Sequence, residues 1–159
     1  MYKRQVQLGA GGAGAAVAHA ILALGARHLT ILDVERARAD ALAGSLGAAA
    51  ADIDALGDLL AEADGLIHAT PTGMEAHPGT AVPAELLDPR PWVAEVVYMP
   101  IETQLLKDAR ERGCRTLDGA AMVALQAAGS LELFTGARPD RERMLAHVDE
   151  LIAGASQAA

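Results

Sequence analysis

The sequence is poor in the residues that mark several large classes of protein. Cys114 is the only cysteine among 159 residues, so no disulfide can form within the chain and a reducing, cytoplasmic setting is expected. Aromatic residues make up only 3% of the chain, so aliphatic side chains must build the core. No apolar run reaches the ~20 residues of a membrane-spanning helix, and no signal-peptide segment is visible. We therefore expect a protein without a membrane partner.

Basic residues and metal-ligand patterns are also scarce. The formal net charge is −8 and no basic cluster offsets it, which argues against a nucleic-acid partner. The histidines lack the spacing of a metal site, so no metal is predicted. They are His19, His28, His68, His77 and His147. Cys114 has no histidine partner nearby in the sequence, which favours a buried structural role over a nucleophilic one.

Short apolar strands alternate with helices along the chain. Strands are predicted at residues 6–8, 28–32, 48–51, 65–69, 92–98 and 115–117. Helices are predicted at residues 15–24, 35–46, 54–63, 103–112, 120–134 and 141–152, and a proline-rich loop, with one helical turn at 84–87, joins the fourth strand to the fifth. This alternation predicts a doubly wound parallel sheet in a three-layer α/β/α arrangement.

A glycine pattern directly follows the first strand. Gly9, Gly11 and Gly14 form G-x-G-x-x-G, with a strand before it and an Ala-rich helix after it. Such glycines allow a tight turn, a close approach of the backbone to a pyrophosphate, and close packing of helix on strand. The phosphates would lie over the free N–H groups at the start of the helix. A purely structural glycine-rich turn is the alternative.

An acidic residue completes the dinucleotide-binding pattern. Asp33 ends the second strand, 19 residues after Gly14, where its carboxylate can accept hydrogen bonds from ribose hydroxyls. The pattern therefore predicts a Rossmann-type domain that binds a dinucleotide. Its predicted cofactor-binding residues are Gly9, Ala10, Gly11, Gly12, Ala13, Gly14 and Asp33.

Three later stretches follow strands, where a doubly wound sheet binds its ligand. They are residues 69–74 (ATPTGM), residues 97–103 (VYMPIET), and residues 118–122 (DGAAM) with Gln126 one turn later. Together with GAGGAG, they make the chain, from Val6 to the final helix, resemble the cofactor-binding domain of shikimate and quinate dehydrogenases. The ATPTGM and VYMPIETQLL blocks are more specific than the glycines.

The resemblance implies NAD(P)-dependent interconversion of shikimate and 3-dehydroshikimate, or of quinate and 3-dehydroquinate, by hydride transfer. The substrate would be a small hydroxylated cyclohexane or cyclohexene carboxylate, as in aromatic amino acid biosynthesis. By the same resemblance, Thr70 would lie beside the adenosine-side ribose or the pyrophosphate. Val97, Gly119 and Met122 would surround the nicotinamide. Tyr98 and Gln126 would reach the substrate.

The residues after the second strand bear on the choice of cofactor. Family members that prefer NADP carry an Asn-Arg-Thr-like run here, whose Arg meets the 2′-phosphate. This chain has Asp33-Val34-Glu35, and a carboxylate attracts the ribose diol but repels a phosphate. NAD is therefore predicted, with NADP as the less favoured cofactor. Arg36 and Arg38 are nearby cations that could reach a phosphate.

Each later site residue also has a simpler structural interpretation. Asp118 could cap the long helix, Met122 could fill the core, and Tyr98 could be a partly buried strand residue. Thr103 and Glu102 could only cap their helix. Gln126 lies between apolar neighbours, so we expect its amide to require hydrogen-bond partners.

The chain also departs from the family pattern. His68 stands where members often have Asn, and Leu125 where they often have His. The family's catalytic Lys and Asp lie on an N-terminal domain that this sequence lacks, so no catalytic residue is predicted in this chain and it should be inactive alone.

The expected domain organisation follows from this departure. Residues 1–5 are interpreted as a non-native or truncated edge, residues 6–136 as the NAD(P)-binding domain, and residues 137–159 as a C-terminal helix that packs toward the missing domain. Exposed apolar surface could also support a homodimer. The alternatives are a dinucleotide-binding module without catalysis, or another Rossmann dehydrogenase such as a methylene-tetrahydrofolate or glutamyl-tRNA reductase-like enzyme.

Overall fold

Six strands alternate with six α-helices in the computed structural model, which describes residues 4–157 and, for residues 153 and 155–157, the backbone alone. The strands are β1 (Arg4–Leu8), β2 (His28–Leu32), β3 (Ala49–Ala51), β4 (Gly65–His68), β5 (Trp92–Glu95) and β6 (Thr116–Leu117). The helices are α1 (Gly12–Ala23), α2 (Arg36–Leu46), α3 (Leu56–Glu62), α4 (Gln104–Glu111), α5 (Ala120–Thr135) and α6 (Arg141–Gln157). Single turns of 3₁₀-helix lie at Ile53–Ala55 and Ala84–Leu86.

All six strands are parallel, in the order β3-β2-β1-β4-β5-β6. The chain winds outward from β1 through β2 to β3, and then returns to β4 on the other side of β1. A crevice forms above the carboxyl ends of β1 and β4, because the connections leave these strands in opposite directions. The predicted doubly wound parallel sheet is therefore confirmed, and its switch point lies between β1 and β4.

Aliphatic side chains form a core on each face of the sheet, as the low aromatic content requires. One core contains Leu8, Leu32, Leu60, Leu66 and Leu105, among others. The opposite core is smaller and uses alanines, such as Ala18, Ala39 and Ala43, to bring α1 and α2 close to β2. Both faces of the central strands are covered, which explains why those strands are apolar without strict alternation.

Local signals fix the ends of several elements near the observed boundaries. The Thr103 side chain accepts a hydrogen bond from the Leu106 backbone N–H, so it is the N-cap of α4. Gly47 ends α2 in the left-handed conformation with φ of 66°. The helix predicted at 54–63 is instead a 3₁₀ turn followed by α3.

The fifth strand is shorter than its apolar run predicts. Residues 92–98 were expected to be extended throughout, but β5 ends at Glu95. The Glu95 carboxylate accepts a hydrogen bond from the Val97 backbone N–H, which turns the chain out of the ladder. Residues 96–99 thus become a loop at the edge of the crevice.

Both ends of the described chain lie within regular secondary structure. β1 begins at Arg4, and Gln5, which the sequence placed in a non-native edge, is buried and pairs with both β2 and β4. The remainder of that predicted edge, residues 1–3, lies outside the described residues, as do residues 158–159 of the predicted C-terminal segment. α6 packs against α5. No helix in the described part of the chain has the length and hydropathy needed to cross a membrane.

Substitution of a central strand residue tests this core. Leu66 is fully buried in β4, so Leu66→Ala should lower the free energy of unfolding by about 2–5 kcal/mol through lost burial and a residual cavity. Leu133→Ala is the matched control, since Leu133 is 81% exposed on α5 and its loss should change stability by less than about 0.5 kcal/mol. Urea denaturation measures both, and equal effects would contradict the assigned core.

Candidate dinucleotide-binding site

A cleft of about 960 Å³ opens above the carboxyl ends of β1, β2, β4 and β5. Its volume is at the upper end of the range for small-molecule binding sites, and its walls are mostly apolar. Residues that line it come from the ends of these four strands and the segments that follow them, from α2, and from the turn after β3. They include Gly9, Gly11, Gly12, Ala13, Asp33, Val34, Arg38, Ile53, Thr70, Thr72, Met74, Glu75, Val97, Tyr98 and Met99.

The glycine-rich turn is shaped by close approaches between backbone atoms. Gly9 has φ of +102°, and a Cβ on it would lie 2.3 Å from the Ala69 carbonyl oxygen. A Cβ on Gly14 would lie 2.2 Å from the Gly9 carbonyl oxygen. Any side chain at either position would clash with main chain, so the predicted tight turn and close helix packing are confirmed.

Gly11 and Gly12 differ from these two glycines, because a Cβ on either would meet nothing within 4 Å. Both line the cleft, and Gly11 is the N-cap of α1 without any side-chain cap. No acidic residue lies in the first turn of α1. The N-terminus of this helix is therefore open toward the cleft, with positive dipole character and no competing carboxylate of its own.

A buried amide that the sequence analysis did not single out supports this turn. The Gln7 Nε2 group donates hydrogen bonds to the carbonyl oxygens of Gly9 and Gly14, each at 2.9 Å. It thereby ties the end of β1 to the first turn of α1. A polar residue between Val6 and Leu8, two positions before the glycine pattern, was the signal for this role.

Asp33 also contacts the glycine-rich turn. Its Oδ2 atom accepts a hydrogen bond from the Ala10 N–H at 2.8 Å, and its Oδ1 atom accepts one from the Glu35 N–H at 2.9 Å. Each carboxylate oxygen has a second acceptor direction, so Asp33 can still accept from a ligand hydroxyl. The carboxylate thus lies at the end of β2, where the sequence predicted it, and faces the cleft.

The cations near Asp33 are paired with acids. Arg38 lines the cleft and forms an ion pair with Glu35, with 2.7 Å between Nη2 and Oε1. Arg36 forms ion pairs with Asp40 and Asp52. Hydrogen bonds to these two carboxylates raise the pKa of Arg36, which keeps its guanidinium charged. These arginines are therefore engaged by neighbouring carboxylates.

A buried polar cluster lies at the ends of β4 and β5. His68 and Glu95 are opposite each other in the parallel register, and His68 Nδ1 lies 2.8 Å from Glu95 Oε1. The Glu95 carboxylate also accepts from the Val97 N–H at 2.9 Å and from the Thr103 hydroxyl at 3.1 Å. His68, Glu95 and Thr103 are all buried, so they satisfy one another away from water.

This cluster reaches the cleft through Thr70. His68 Nε2 lies 2.5 Å from Thr70 Oγ1, and Thr70 Oγ1 accepts a hydrogen bond from the Thr72 N–H. The sequence analysis noted His68 and Thr103 separately but did not predict that Glu95 joins them. Both His68 and Glu95 are polar residues that end neighbouring apolar strands, and that position was the available signal.

Other predicted ligand residues lie at different distances from the cleft. Val97 and Tyr98 line it, and Tyr98 lies in the loop after β5 with 48% of its surface exposed, so it is not the strand residue of the structural alternative. Gly119 packs against the carbonyl oxygens of Val96 and Val97, where a Cβ would lie 2.9 and 2.8 Å away. Gly119, and not Asp118, is the N-cap of α5, although Asp118 accepts a hydrogen bond from Ala120.

Five of the predicted residues do not contribute to the cleft wall: Ala10, Gly14, Gly119, Met122 and Gln126. Met122 is half-buried on α5. Gln126 is exposed, so water can satisfy its amide and the apolar sequence around it does not require a protein partner. Both residues lie on the helix that begins beside the Val97 loop.

Cys114 and the histidines do not form a second chemical site. Cys114 is buried, and its thiol donates a hydrogen bond to the Asp88 carbonyl oxygen at 3.0 Å. Burial raises the pKa of the Cys114 thiol, and so does the nearby charge of Asp88, which fits a structural role. Within the described residues, no three His, Cys, Asp or Glu side chains are grouped so as to hold a metal ion.

Comparison with protein families gives one matching model. The family described as "Shikimate / quinate 5-dehydrogenase" matches residues 2–76. These residues include the glycine-rich turn, Asp33 and the Thr70 loop.

Known proteins match over most of the chain. This chain is 59% identical to a shikimate dehydrogenase (NADP(+)) of Streptomyces avermitilis, in an alignment that covers 94% of this chain. It is 53% identical to a quinate/shikimate dehydrogenase (NAD(+)) of Corynebacterium efficiens, in an alignment that covers 89% of this chain. The chain spans about half the length of these relatives, 54% and 52%. A solved quinate dehydrogenase from Corynebacterium glutamicum, in complex with NAD, is 43% identical with a TM-score of 0.82, covering 91% of this chain and 54% of that one.

Substitution of two glycines distinguishes an effect on ligand binding from an effect on stability. Gly11→Ala places a methyl group in the cleft without a clash, so it should leave stability within about 0.5 kcal/mol but weaken dinucleotide binding at least about tenfold. Gly14→Ala should instead lower stability, because its Cβ meets the Gly9 carbonyl. Thermal melting and titration with NADH measure the two effects, with Gly129→Ala, in open space on α5, as the control. Unchanged NADH affinity in Gly11→Ala would show that the pyrophosphate binds elsewhere.

Proposed function

The chain belongs to the shikimate and quinate dehydrogenase family, and from that premise we propose that it is the cofactor-binding part of an oxidoreductase. The proposed reaction interconverts shikimate and 3-dehydroshikimate, or quinate and 3-dehydroquinate, by hydride transfer. The chain would bind the nicotinamide dinucleotide, and the loops at the carboxyl ends of its strands would form one wall of the substrate site. Residues 6–136 would form this domain, with the helix that follows packed on its edge.

The single observation that carries this proposal is the open start of α1 above the switch point. Gly11 and Gly12 line the cleft with bare backbone, no side chain caps the helix, and Asp33 lies across the turn. A diphosphate needs free N–H groups and positive dipole character, and a ribose diol needs an acceptor a short distance away. The cleft supplies both, and the Corynebacterium glutamicum structure that the chain resembles was solved with NAD.

The geometry around Asp33 supports NAD as the preferred cofactor, although relatives are named for either NAD(+) or NADP(+). A 2′-phosphate placed beside Asp33 would meet a carboxylate with a like charge. The two nearest arginines cannot offset this freely, because Arg38 is paired with Glu35 and Arg36 with two acids. A ribose diol, in contrast, finds unused acceptor capacity on Asp33.

The opposite end of the cleft suits the nicotinamide and the substrate. Val96, Val97 and Met99 give an apolar wall, which hydride transfer requires to exclude water. Gly119 lets the start of α5 approach this loop, and Met122 lies in the first turn of α5. Tyr98 and Gln126 are both exposed, so the phenol and the amide remain available to the substrate hydroxyls.

Proton transfer in this reaction calls for groups beyond this chain. Alcohol oxidation needs a positioned acid or base near the reacting hydroxyl. In the described part of the chain, the charged residues that line the cleft are Asp33, Arg38 and Glu75, and neither Lys nor His is among them. We infer that the Lys and Asp of the family's other domain supply this step. The half of a relative that this chain does not span would then be the partner that packs against the cleft.

Asp33 provides a test of the proposed cofactor choice. Asp33→Asn removes the charge that repels a 2′-phosphate, so the ratio of NADPH to NADH affinity should rise about tenfold or more. Titration of the chain, followed by the fluorescence of the reduced nicotinamide, measures both affinities. The single tryptophan, Trp92, lies at the amino end of β5, away from the cleft at the carboxyl ends of the strands, and is a poor reporter.

The matched control is Glu111→Gln, which removes an exposed carboxylate from the end of α4. It should leave both affinities unchanged. Tighter binding of NADPH than NADH by the unaltered chain would refute the role given to Asp33. No binding of either coenzyme would refute the proposed function itself.

Activity tests the need for a second domain. The chain alone should bind NADH but oxidise neither shikimate nor quinate at a measurable rate, because no positioned base completes the site. Fusion to the part of the Streptomyces avermitilis relative that the chain does not span should restore NADH formation at 340 nm. Full activity in the isolated chain would contradict the argument, and inactivity of a well-folded fusion with both substrates would favour a binding module without catalysis.

A further inference from the structure

We propose that His68 is a positioning residue of the dinucleotide site, which acts by fixing the direction of the Thr70 hydroxyl so that Thr70 accepts a hydrogen bond from a ribose hydroxyl. This inference rests on the proposed function, since it assigns a role within the same site. It also separates the two contacts that the family resemblance leaves open for Thr70, the ribose and the pyrophosphate.

The first step is the orientation of the imidazole. The Glu95 carboxylate is held by two donors besides His68, namely the Val97 N–H and the Thr103 hydroxyl. Because a carboxylate only accepts hydrogen bonds, the Nδ1 atom of His68 carries the proton that points at it. The buried Glu95 therefore selects both the ring orientation and the tautomer of His68.

The second step is the direction of the Thr70 hydroxyl. In the proposed arrangement the ring is neutral, and its bare Nε2 atom, 2.5 Å from Thr70 Oγ1, accepts the Thr70 hydroxyl proton. One lone pair of Thr70 Oγ1 accepts from the Thr72 N–H, and the other remains for the cleft. The Thr70 methyl group cannot turn freely, because Cγ2 packs next to Gly9.

The third step is the chemistry of the ligand group. Thr70 lines the cleft and, in this arrangement, offers it an acceptor alone. Pyrophosphate oxygens are also acceptors, so they gain nothing from Thr70. Ribose hydroxyls can donate, and they are therefore the groups of a dinucleotide that Thr70 would bind.

A double-mutant cycle on NADH affinity tests whether His68 acts through Thr70. His68→Asn keeps a donor near Glu95 but cannot reach Thr70, so it should weaken NADH binding about 3- to 10-fold. Thr70→Val should have a similar effect, and Thr70→Ser should retain most of the affinity. In the Thr70→Val background, His68→Asn should cause no further loss, because the hydroxyl that it positions is gone.

Controls separate this role from a general structural one. Thermal melting checks that each variant is folded at the titration temperature. His28→Asn and Thr80→Val remove the same functional groups at exposed positions outside the cleft, and they should not change NADH affinity. Equal losses from His68→Asn with and without the Thr70 hydroxyl would overturn the proposal while leaving NAD binding intact. Failure of the unaltered chain to bind NADH would overturn the proposed function and this inference with it.

The imidazole nitrogens give an independent reading. ¹⁵N spectra of the histidine rings, assigned to His68 by comparison with His68→Asn, should show one protonated nitrogen, Nδ1, and one bare nitrogen, Nε2. A ring protonated at both nitrogens would reverse the Thr70 hydrogen bond and overturn the assignment of a ribose hydroxyl. A ring protonated at Nε2 alone would break the link to Glu95 and overturn the first step.

Discussion

The close approach of three backbone segments at the end of β1 is the constraint on which the site depends. The Gly9 turn lies against the Ala69 carbonyl after β4, and the first turn of α1 lies against the Gly9 carbonyl. Hydrogen bonds from Gly9 N to Leu32 O and from Ala69 N to Leu8 O join the ends of β1, β2 and β4. Since side chains are excluded from these contacts, the strand ends converge and the start of α1 faces the cleft.

Polar side chains beneath the cleft then hold its loops at fixed positions. Gln7 binds the glycine-rich turn from below, Asp33 joins that turn to the end of β2, and Glu95 joins the Val97 loop to α4 through Thr103. Gln7 and Glu95 are buried, Asp33 is partly buried, and each is hydrogen-bonded to main chain, so these side chains hold the loops in place. Preorganisation of this kind lowers the entropic cost of ordering the site when a ligand binds.

Most of the fold was predictable from the sequence because its signals are local. The glycine pattern, the apolar runs and Thr103 set the elements within a few residues. The end of β5 was not predictable from apolarity, since it depends on Glu95, whose carboxylate bonds the backbone two residues later. The pairing of His68 with Glu95 was hidden for another reason, because residues 27 apart meet only once the β4–β5 register is known. The exposure of Gln126 likewise depends on how α5 packs.

Tertiary contacts also influence how Asp33 affects the preference for NAD or NADP. Asp33 binds the Ala10 and Glu35 amides, so it shapes the turn proposed to hold the phosphates as well as the end of β2. Its effect on a 2′-phosphate therefore acts together with Glu35, which engages Arg38 beside the cleft. If Glu35 lost its charge, Arg38 would be free to meet a phosphate even with Asp33 unchanged. The choice between the two coenzymes is therefore expected to depend on Asp33, Glu35 and Arg38 together.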